Sequence, residues 1–253
     1  MIMQNKLPMN LIVDIGNTRA KAVVMSGLNS VASYVAESAS QQWLTEILGR
    51  HPEVSRAVVS STRGDGGECA AMLRGMVDFV LLFNPAQTPI PLANSYGTPQ
   101  TLGADRLAAA VGVAALYPGC DILVVDFGTA ITIDFVEGGG FRGGNISPGV
   151  TTRFRSLADY TACLPLCSAT EEVLEYGRTT RQAIEQGVMR GVEQEIRGYC
   201  DDFSKKNGEK LIIFTGGDAK YFAMRIKNAI FADCEPVIFG LNTILNYNAD
   251  KQA

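Results

Sequence analysis

Asp14 and Asp126 each end an apolar run, and each is followed two positions on by glycine. The first stretch reads Asn10-Leu-Ile-Val-Asp14-Ile-Gly16-Asn17-Thr18, the second Ile122-Leu-Val-Val-Asp126-Phe-Gly128-Thr129-Ala130. A carboxylate at the tip of a buried strand is costly unless something pairs with it. The glycine lets a ligand approach the turn, and the small polar residues and backbone N–H groups there can cradle anions. Two carboxylates flanking a cleft could hold a hydrated divalent cation and, with those N–H groups, the phosphates of a nucleoside triphosphate. One Asp-Gly could simply mark a hairpin turn. Two copies with the same flanks point instead to a duplicated domain with one site between its halves.

A second group of candidates lies in Gly103-Ala-Asp105-Arg106, at the start of an Ala-rich helix over Leu107–Leu116. Asp105 could cap that helix. Arg106 resists the same explanation, because a cation beside the positive end of a helix dipole is mildly unfavourable. An Arg placed there suits an incoming anion. Thr215-Gly216-Gly217-Asp218-Ala219 forms a third glycine turn. There is no Gly-x-x-x-x-Gly-Lys-[Ser/Thr], which excludes a P-loop, and no Gly-x-Gly-x-x-Gly after a strand, which weighs against a dinucleotide site. Six cysteines are scattered and the one histidine, His51, is far from Cys163 and Cys167. That spacing gives no four-ligand zinc site, and reduced thiols are expected. His51 sits in Gly49-Arg-His-Pro-Glu53, which reads as a solvated, inert helix end.

The elements that must position these residues come in two series. Strands are expected over Leu11–Gly16, Ala20–Met25 and Val31–Ala36, a helix over Gln41–Gly49, a strand over Arg56–Ser60 with Ser60-Ser61-Thr62 as its polar exit, a helix over Gly67–Asp78 and a strand over Phe79–Phe83. This order suits a ribonuclease-H-like half-domain. Asn84–Gly103 breaks the pattern with Pro85, Pro89, Pro91, Pro99 and Tyr96, and a loop of that length is usually functional or disordered. The second series opens at Ile122. It has a returning strand over Ile131–Val136, a Gly138–Gly140 hairpin, and a glycine-dense segment over Phe141–Gly149 where backbone could approach a ligand. Helices are expected over Thr152–Tyr160 and Arg181–Phe203, the latter capped by Thr179 or Thr180. A strand over Leu211–Phe214, a helix over Lys220–Asn228 and a closing apolar helix over Val237–Tyr247 complete it. The expected halves are 1–120 and 121–253, an α/β chain of two ribonuclease-H-like (actin-like ATPase) half-domains with a cleft between them.

Composition narrows the partners. Of 253 residues, 47% are hydrophobic and 19% charged, as in ordinary globular proteins with ample core. The net charge is −4 and no basic cluster exceeds Lys205-Lys206, so nucleic acid is a poor candidate. No apolar run approaches the roughly 18 to 20 residues that span a bilayer. No signal peptide is read, and a cytoplasmic location without membrane partners is expected.

Asp14-Ile-Gly-Asn-Thr18 and Asp126-Phe-Gly-Thr-Ala130 resemble the two phosphate motifs of the superfamily holding acetate and sugar kinases, Hsp70 and actin, and Thr215-Gly-Gly-Asp-Ala219 resembles its adenosine motif. Gly97-Thr98-Pro99, Gly103-Ala-Asp-Arg106, Gly143-Gly-x-Ile-x-Pro-Gly149 and Leu157-Ala-x-x-Thr161-Ala-x-Leu-Pro165 narrow this to a resemblance, from about Asn10 to Tyr247, to type III pantothenate kinases. The resemblance implies phosphorylation of pantothenate at its 4′-hydroxyl, the first step of coenzyme A synthesis, with ATP, Mg²⁺ and a monovalent cation (K⁺ or NH₄⁺), in a homodimer. It implies Asp105 as general base and Arg106 as the holder of the pantothenate carboxylate, with Tyr96, Gly103, Ala104 and Thr180 lining the pocket. For ATP it implies the stretch Asp14, Ile15, Gly16, Asn17, Thr18, Arg19, Ala20 and Lys21, with Thr129 on a phosphate and Gly216 and Gly217 beside the adenine. Asp14 would hold Mg²⁺, directly or through water, and Asp126 the monovalent cation. Lys21 could instead be a solvated strand residue. Thr179-Thr180 departs from the Asn-Thr common in the family, and the basic segment Val150–Arg155 has no role in its motifs. A catalytically silent regulator or scaffold of the same fold, a kinase for another small hydroxy acid, or a phosphatase of the superfamily are the rival readings.

Overall fold

The computed structural model describes residues 8–206, 208–227, 229–231 and 235–251. These fall into two units, one with the described residues up to Pro118 and those from Glu235 on, the other with those between Gly119 and Phe231.

The first unit is built on β1 (Met9–Ile15), β2 (Ala20–Ser26), β3 (Asn29–Ala36), β4 (Val54–Ser61) and β5 (Phe79–Leu82), with α1 (Gln41–Arg50) and α2 (Gly66–Arg74) between them. The strand order is β3-β2-β1-β4-β5; β1 runs antiparallel to β2 and parallel to β4. β1 lies at the centre, which is why Leu11, Ile12 and Val13 form a continuous apolar run rather than an alternating one. The Ser40 hydroxyl caps α1 by accepting from the Trp43 N–H at 3.2 Å, and Leu44 and Ile47 turn inward one helical step apart. His51 ends α1, and it is not solvated as expected. Its side chain is 15% exposed and its ring nitrogen hydrogen-bonds the Tyr34 hydroxyl at 2.9 Å, so the ring fastens α1 to β3. A two-residue strand β6 (Ala93–Asn94) and helix α3 (Ala104–Leu116) follow.

The second unit repeats the first. Its strands are β7 (Asp121–Phe127), β8 (Ala130–Glu137), β9 (Gly140–Pro148), β10 (Lys210–Thr215) and β11 (Ala229–Phe231), in the order β11-β10-β7-β8-β9. β7 takes the place of β1, antiparallel to β8 and parallel to β10. Helices α4 (Val150–Asp159), α5 (Thr180–Ser204) and α6 (Ala219–Ala223) complete it. Along α5, Ile184, Val188, Val192, Ile196 and Cys200 bury one stripe against the sheet.

The glycine-dense segment is a strand, β9, paired along β8. Two expectations about helices change. The helix expected over Lys220–Asn228 stops at Ala223, because the chain must turn back into β11, parallel to β10; Asn228 lies outside the described residues. The closing helix α7 (Pro236–Ala249), expected with residues 121–253, belongs to the first unit and packs on α3. Small residues make that contact. A Cβ on Gly240 would lie 1.7 Å from the Ala108 carbonyl oxygen, and one on Gly112 2.1 Å from that of Pro236. Polar ties fix the register of α7: the Asn10 amide donates to Asn242 Oδ1 at 2.7 Å and to Asn246 Oδ1 at 2.9 Å, and Asn242 donates to the Gly27 carbonyl.

Arg153, in the basic segment without a motif role, braces the second unit. Its Nε donates to the Pro148 carbonyl at 2.8 Å, and its guanidinium pairs with Glu195 of α5. Cys69, Cys120, Cys163, Cys167 and Cys200 are all free thiols. No helix among the described residues is long and apolar enough to cross a membrane.

Candidate active site

The repeat places each motif carboxylate in the same frame. Asp14 stands one residue before the end of β1, in register with Lys21 on β2 and Ser60 on β4. Asp126 stands likewise on β7, in register with Thr132 on β8 and Thr215 on β10. Beyond Asp14 the Gly16 N–H donates to the Arg19 carbonyl at 3.0 Å, leaving Asn17, Thr18 and Arg19 exposed at the tip. Beyond Asp126 the Gly128 N–H donates to the Ala130 carbonyl at 3.2 Å, a turn one residue shorter.

Asp14 Oδ1 is sealed from solvent and has no hydrogen-bond partner, and neither has Ser60 Oγ. The Asp14 carboxyl is pushed up from the ordinary 3.8 to about 6. Burial is the largest cause and the charge of Asp105 the next; the nearby Ser60 hydroxyl opposes them, Glu235 adds a weaker upward push and Lys21 a weaker downward one. Lys21 is not a free strand residue, since its ammonium pairs with Glu235 at the start of α7. A buried carboxylate oxygen without a donor fits a site completed by a cation or by phosphate-bound water. Among the described residues no group of three or more His, Cys, Asp or Glu gathers; Asp14 is a residue that could hold a hydrated cation beside phosphate oxygens.

This raised carboxyl makes a stability prediction. Between about pH 4 and pH 6 the folded chain binds a proton at Asp14 that the unfolded chain has released, so stability falls as pH rises through that window and remains lower above it. Asp14→Asn should therefore raise the melting temperature of the ligand-free chain at pH 8, by several degrees, and leave it nearly unchanged at pH 4. Equal shifts at both pH values in a thermal melt would contradict the buried charge.

The structure brings Asp105 within electrostatic reach of Asp14. Gly103 takes the cap position of α3, so Asp105 does not cap in the usual place. It lies in the first turn, where its Oδ1 accepts from the Arg106 N–H at 2.8 Å. A side chain on residue 103 would come within 2.6 Å of that oxygen, so glycine there leaves room for the carboxylate. Arg106 is buried, with its guanidinium 5.7 Å from the centre of the Tyr96 ring. A buried guanidinium beside an aromatic face and a helix N-terminus is suited to an organic anion. Tyr96 is set by its own N–H, which donates to Asn94 Oδ1 at 3.0 Å.

In the second unit, Gly216 has φ +94°, and a Cβ there would come within 2.3 Å of Asp126 Oδ1. Glycine alone allows the Thr215 turn to close onto that carboxylate. Gly217 has open space around it. Gly149 donates to the Thr129 carbonyl at 3.0 Å, and the Thr152 hydroxyl donates to the same oxygen at 2.7 Å, so this end of α4 holds the Asp126–Thr129 turn in place. Thr179 caps α5 by accepting from the Gln182 N–H at 3.2 Å. Thr180, the first helical residue, is exposed.

Two residues at this site escaped the sequence reading. Ser60 appeared only as part of a polar strand exit; its alignment with Thr215 in the repeated sheet is the signal that identifies it. Glu235 gave no signal, because its partner Lys21 lies at the other end of the chain.

Two sheets that share the order and directions of five strands, each with an Asp-x-Gly hairpin, define the class: the acetate and sugar kinase, Hsp70 and actin superfamily. Solved structures share the fold, among them one described as a conserved putative Baf family transcriptional activator from Campylobacter jejuni (TM-score 0.62, 22% identity, 95% of this chain and 99% of that one). A putative 2-dehydro-3-deoxygalactonokinase from Sinorhizobium meliloti is another (TM-score 0.57, 14% identity, 94% and 99%). Residues 10–202 match the family model described as type III pantothenate kinase. Proteins named type III pantothenate kinase from Phocaeicola vulgatus and Bacteroides fragilis are 42% and 41% identical, over 95% of this chain and 99% and 98% of their own lengths. One from Porphyromonas gingivalis is 40% identical over 94% of this chain and 98% of its own. The chain belongs to the type III pantothenate kinase family.

Proposed function

We propose that this chain transfers the γ-phosphoryl group of ATP to the 4′-hydroxyl of pantothenate, the first step of coenzyme A synthesis. What carries this reading is the match of residues 10–202 to the type III pantothenate kinase family, and it is supported by Asp105 lying in the first turn of α3, within electrostatic reach of Asp14 in the same unit. Arg106 holds the pantothenate carboxylate, and Tyr96, Gly103, Ala104 and Thr180 line the pocket. The hydroxyl oxygen forms a bond to the γ-phosphorus, the bond from that phosphorus to the bridging oxygen breaks, ADP departs, and the hydroxyl proton passes to Asp105. The residues Asp14 to Lys21, with Thr129, Gly216 and Gly217, hold the nucleotide. Mg²⁺, held at Asp14 directly or through water, would neutralise charge on the transferring group. We assign the monovalent cation, K⁺ or NH₄⁺, to Asp126, whose carboxylate is cradled against Gly216. The working form is proposed to be a cytoplasmic homodimer.

The cation assignment has a direct test. Pantothenate-dependent ADP release should proceed with K⁺ or NH₄⁺ and be lost with Na⁺, and Asp126→Asn should lose the response to K⁺. Equal turnover in all three salts would remove the monovalent cation from the site.

A further inference from the structure

Each motif carboxylate has a hydroxyl beside it, on the parallel neighbouring strand and in the same register: Ser60 for Asp14 and Thr215 for Asp126. Ser60 is fully buried, and its Oγ makes no hydrogen bond of full geometry, although the hydroxyl lies near enough to the Asp14 carboxyl to draw its pKa down. It sits in an otherwise apolar buried run, Ala57, Val58 and Val59, where alanine would pack without stranding a polar atom. The other hydroxyls of this strand exit are already used. Ser61 donates to Asp65 Oδ1 at 2.6 Å and accepts from the Arg63 N–H at 3.1 Å, while Thr62 donates to the Ile15 carbonyl at 3.3 Å. On the other flank of Asp14, Lys21 is taken up by Glu235. The Ser60 hydroxyl and the Asp14 carboxylate are thus left to each other.

We propose that Ser60 is a positioning residue for the phosphate end of the site: its hydroxyl donates to the Asp14 carboxylate when Mg²⁺–nucleotide binds, fixing the orientation in which that carboxylate meets the ion. This rests on the kinase reading above and deepens it, by placing the carboxylate's support on β4 and by giving the two halves of the repeat the same hydroxyl–carboxylate device. A partner of this kind typically changes metal affinity by about 10- to 100-fold.

The test compares wild type with Ser60→Ala and Ser60→Thr, by calorimetric titration of a non-hydrolysable ATP analogue at a series of Mg²⁺ concentrations and, separately, without Mg²⁺. Ser60→Ala is expected to raise the Mg²⁺ needed for half-maximal analogue binding at least about tenfold, with Mg²⁺-free analogue binding and the KM for pantothenate unchanged. Ser60→Thr, which keeps the hydroxyl as the second unit does at Thr215, should restore the wild-type Mg²⁺ requirement. Unchanged Mg²⁺ dependence in Ser60→Ala overturns the proposal and leaves the kinase reading standing. Equal weakening with and without Mg²⁺ also overturns it, since that is the mark of a purely structural role. Wild type that binds no Mg²⁺–nucleotide overturns the kinase reading and this proposal together.

Discussion

Asp105→Asn should lower kcat for pantothenate phosphorylation by about 10²- to 10⁴-fold, the range that a positioned proton acceptor contributes. The substitution is close to isosteric. Asn Oδ1 can still accept from the Arg106 N–H, the bond that Asp105 makes at 2.8 Å, so the first turn of α3 keeps its geometry. What is lost is the ability to take the hydroxyl proton. Because Arg106 and Tyr96 remain, the KM for pantothenate should change little, so the loss should fall on kcat and kcat/KM alike. There is a secondary effect: removing the Asp105 charge relieves the second-largest upward push on Asp14, whose carboxyl should then titrate below about 6. Steady-state kinetics with a coupled ADP assay would show the split. Full turnover in the variant would leave the reaction intact and take Asp105 out of its role.

The largest stability effect is expected at the contact between α3 and α7. Gly240→Ala places a Cβ 1.7 Å from the Ala108 carbonyl oxygen and 2.9 Å from the Gly112 nitrogen. These are backbone atoms on the facing helix, so no rotamer change can relieve the clash and the helices must separate. Replacing glycine by alanine inside a helix gains about 1 kcal/mol from propensity. Overpacking against backbone costs more, about 3 kcal/mol or above. The net effect should be a melting temperature lowered by roughly 5 °C or more. Gly187→Ala on α5 is the control, since a Cβ there meets nothing within 4 Å and propensity acts alone; it should be neutral or slightly stabilising. Activity should fall with stability in Gly240→Ala, because α3 carries Asp105 and Arg106 at its N-terminus. A wild-type melting temperature in Gly240→Ala would show that the helices do not pack this closely.

The long apolar runs were legible in the sequence because burial leaves a local record. Central strands β1 and β7 are buried on both faces, so Leu11–Val13 and Ile122–Val125 stand out without reference to anything distant. The stripe of α5 is legible for the same reason. The Asp-x-Gly turns announce themselves because a carboxylate at the end of such a run is expensive. What remained hidden depends on partners far away in the chain. The place of α7 is set by Gly112 and Gly240 meeting across more than a hundred residues. The ion pair that Lys21 makes with Glu235 left no trace in the sequence, because the two residues lie at opposite ends of the chain. His51 looked exposed because its sequence neighbours are polar, whereas its burial comes from Tyr34 on β3. The glycines of β9 hid the strand, because cross-strand pairing with β8 overrides local preference. Ser60 needed the sheet register: only when β4 and β10 are seen as equivalent strands does its hydroxyl fall beside Asp14 as Thr215 falls beside Asp126.

The most direct measurement of the central claim is identification of the product. The purified chain should be incubated with ATP, Mg²⁺, K⁺ and pantothenate, and the mixture analysed by mass spectrometry and phosphorus NMR. The account predicts one molecule of 4′-phosphopantothenate for each ADP formed, with the phosphate on the 4′-oxygen. ATP left unconsumed in the presence of pantothenate, or ADP formed at the same rate without it, would contradict the account.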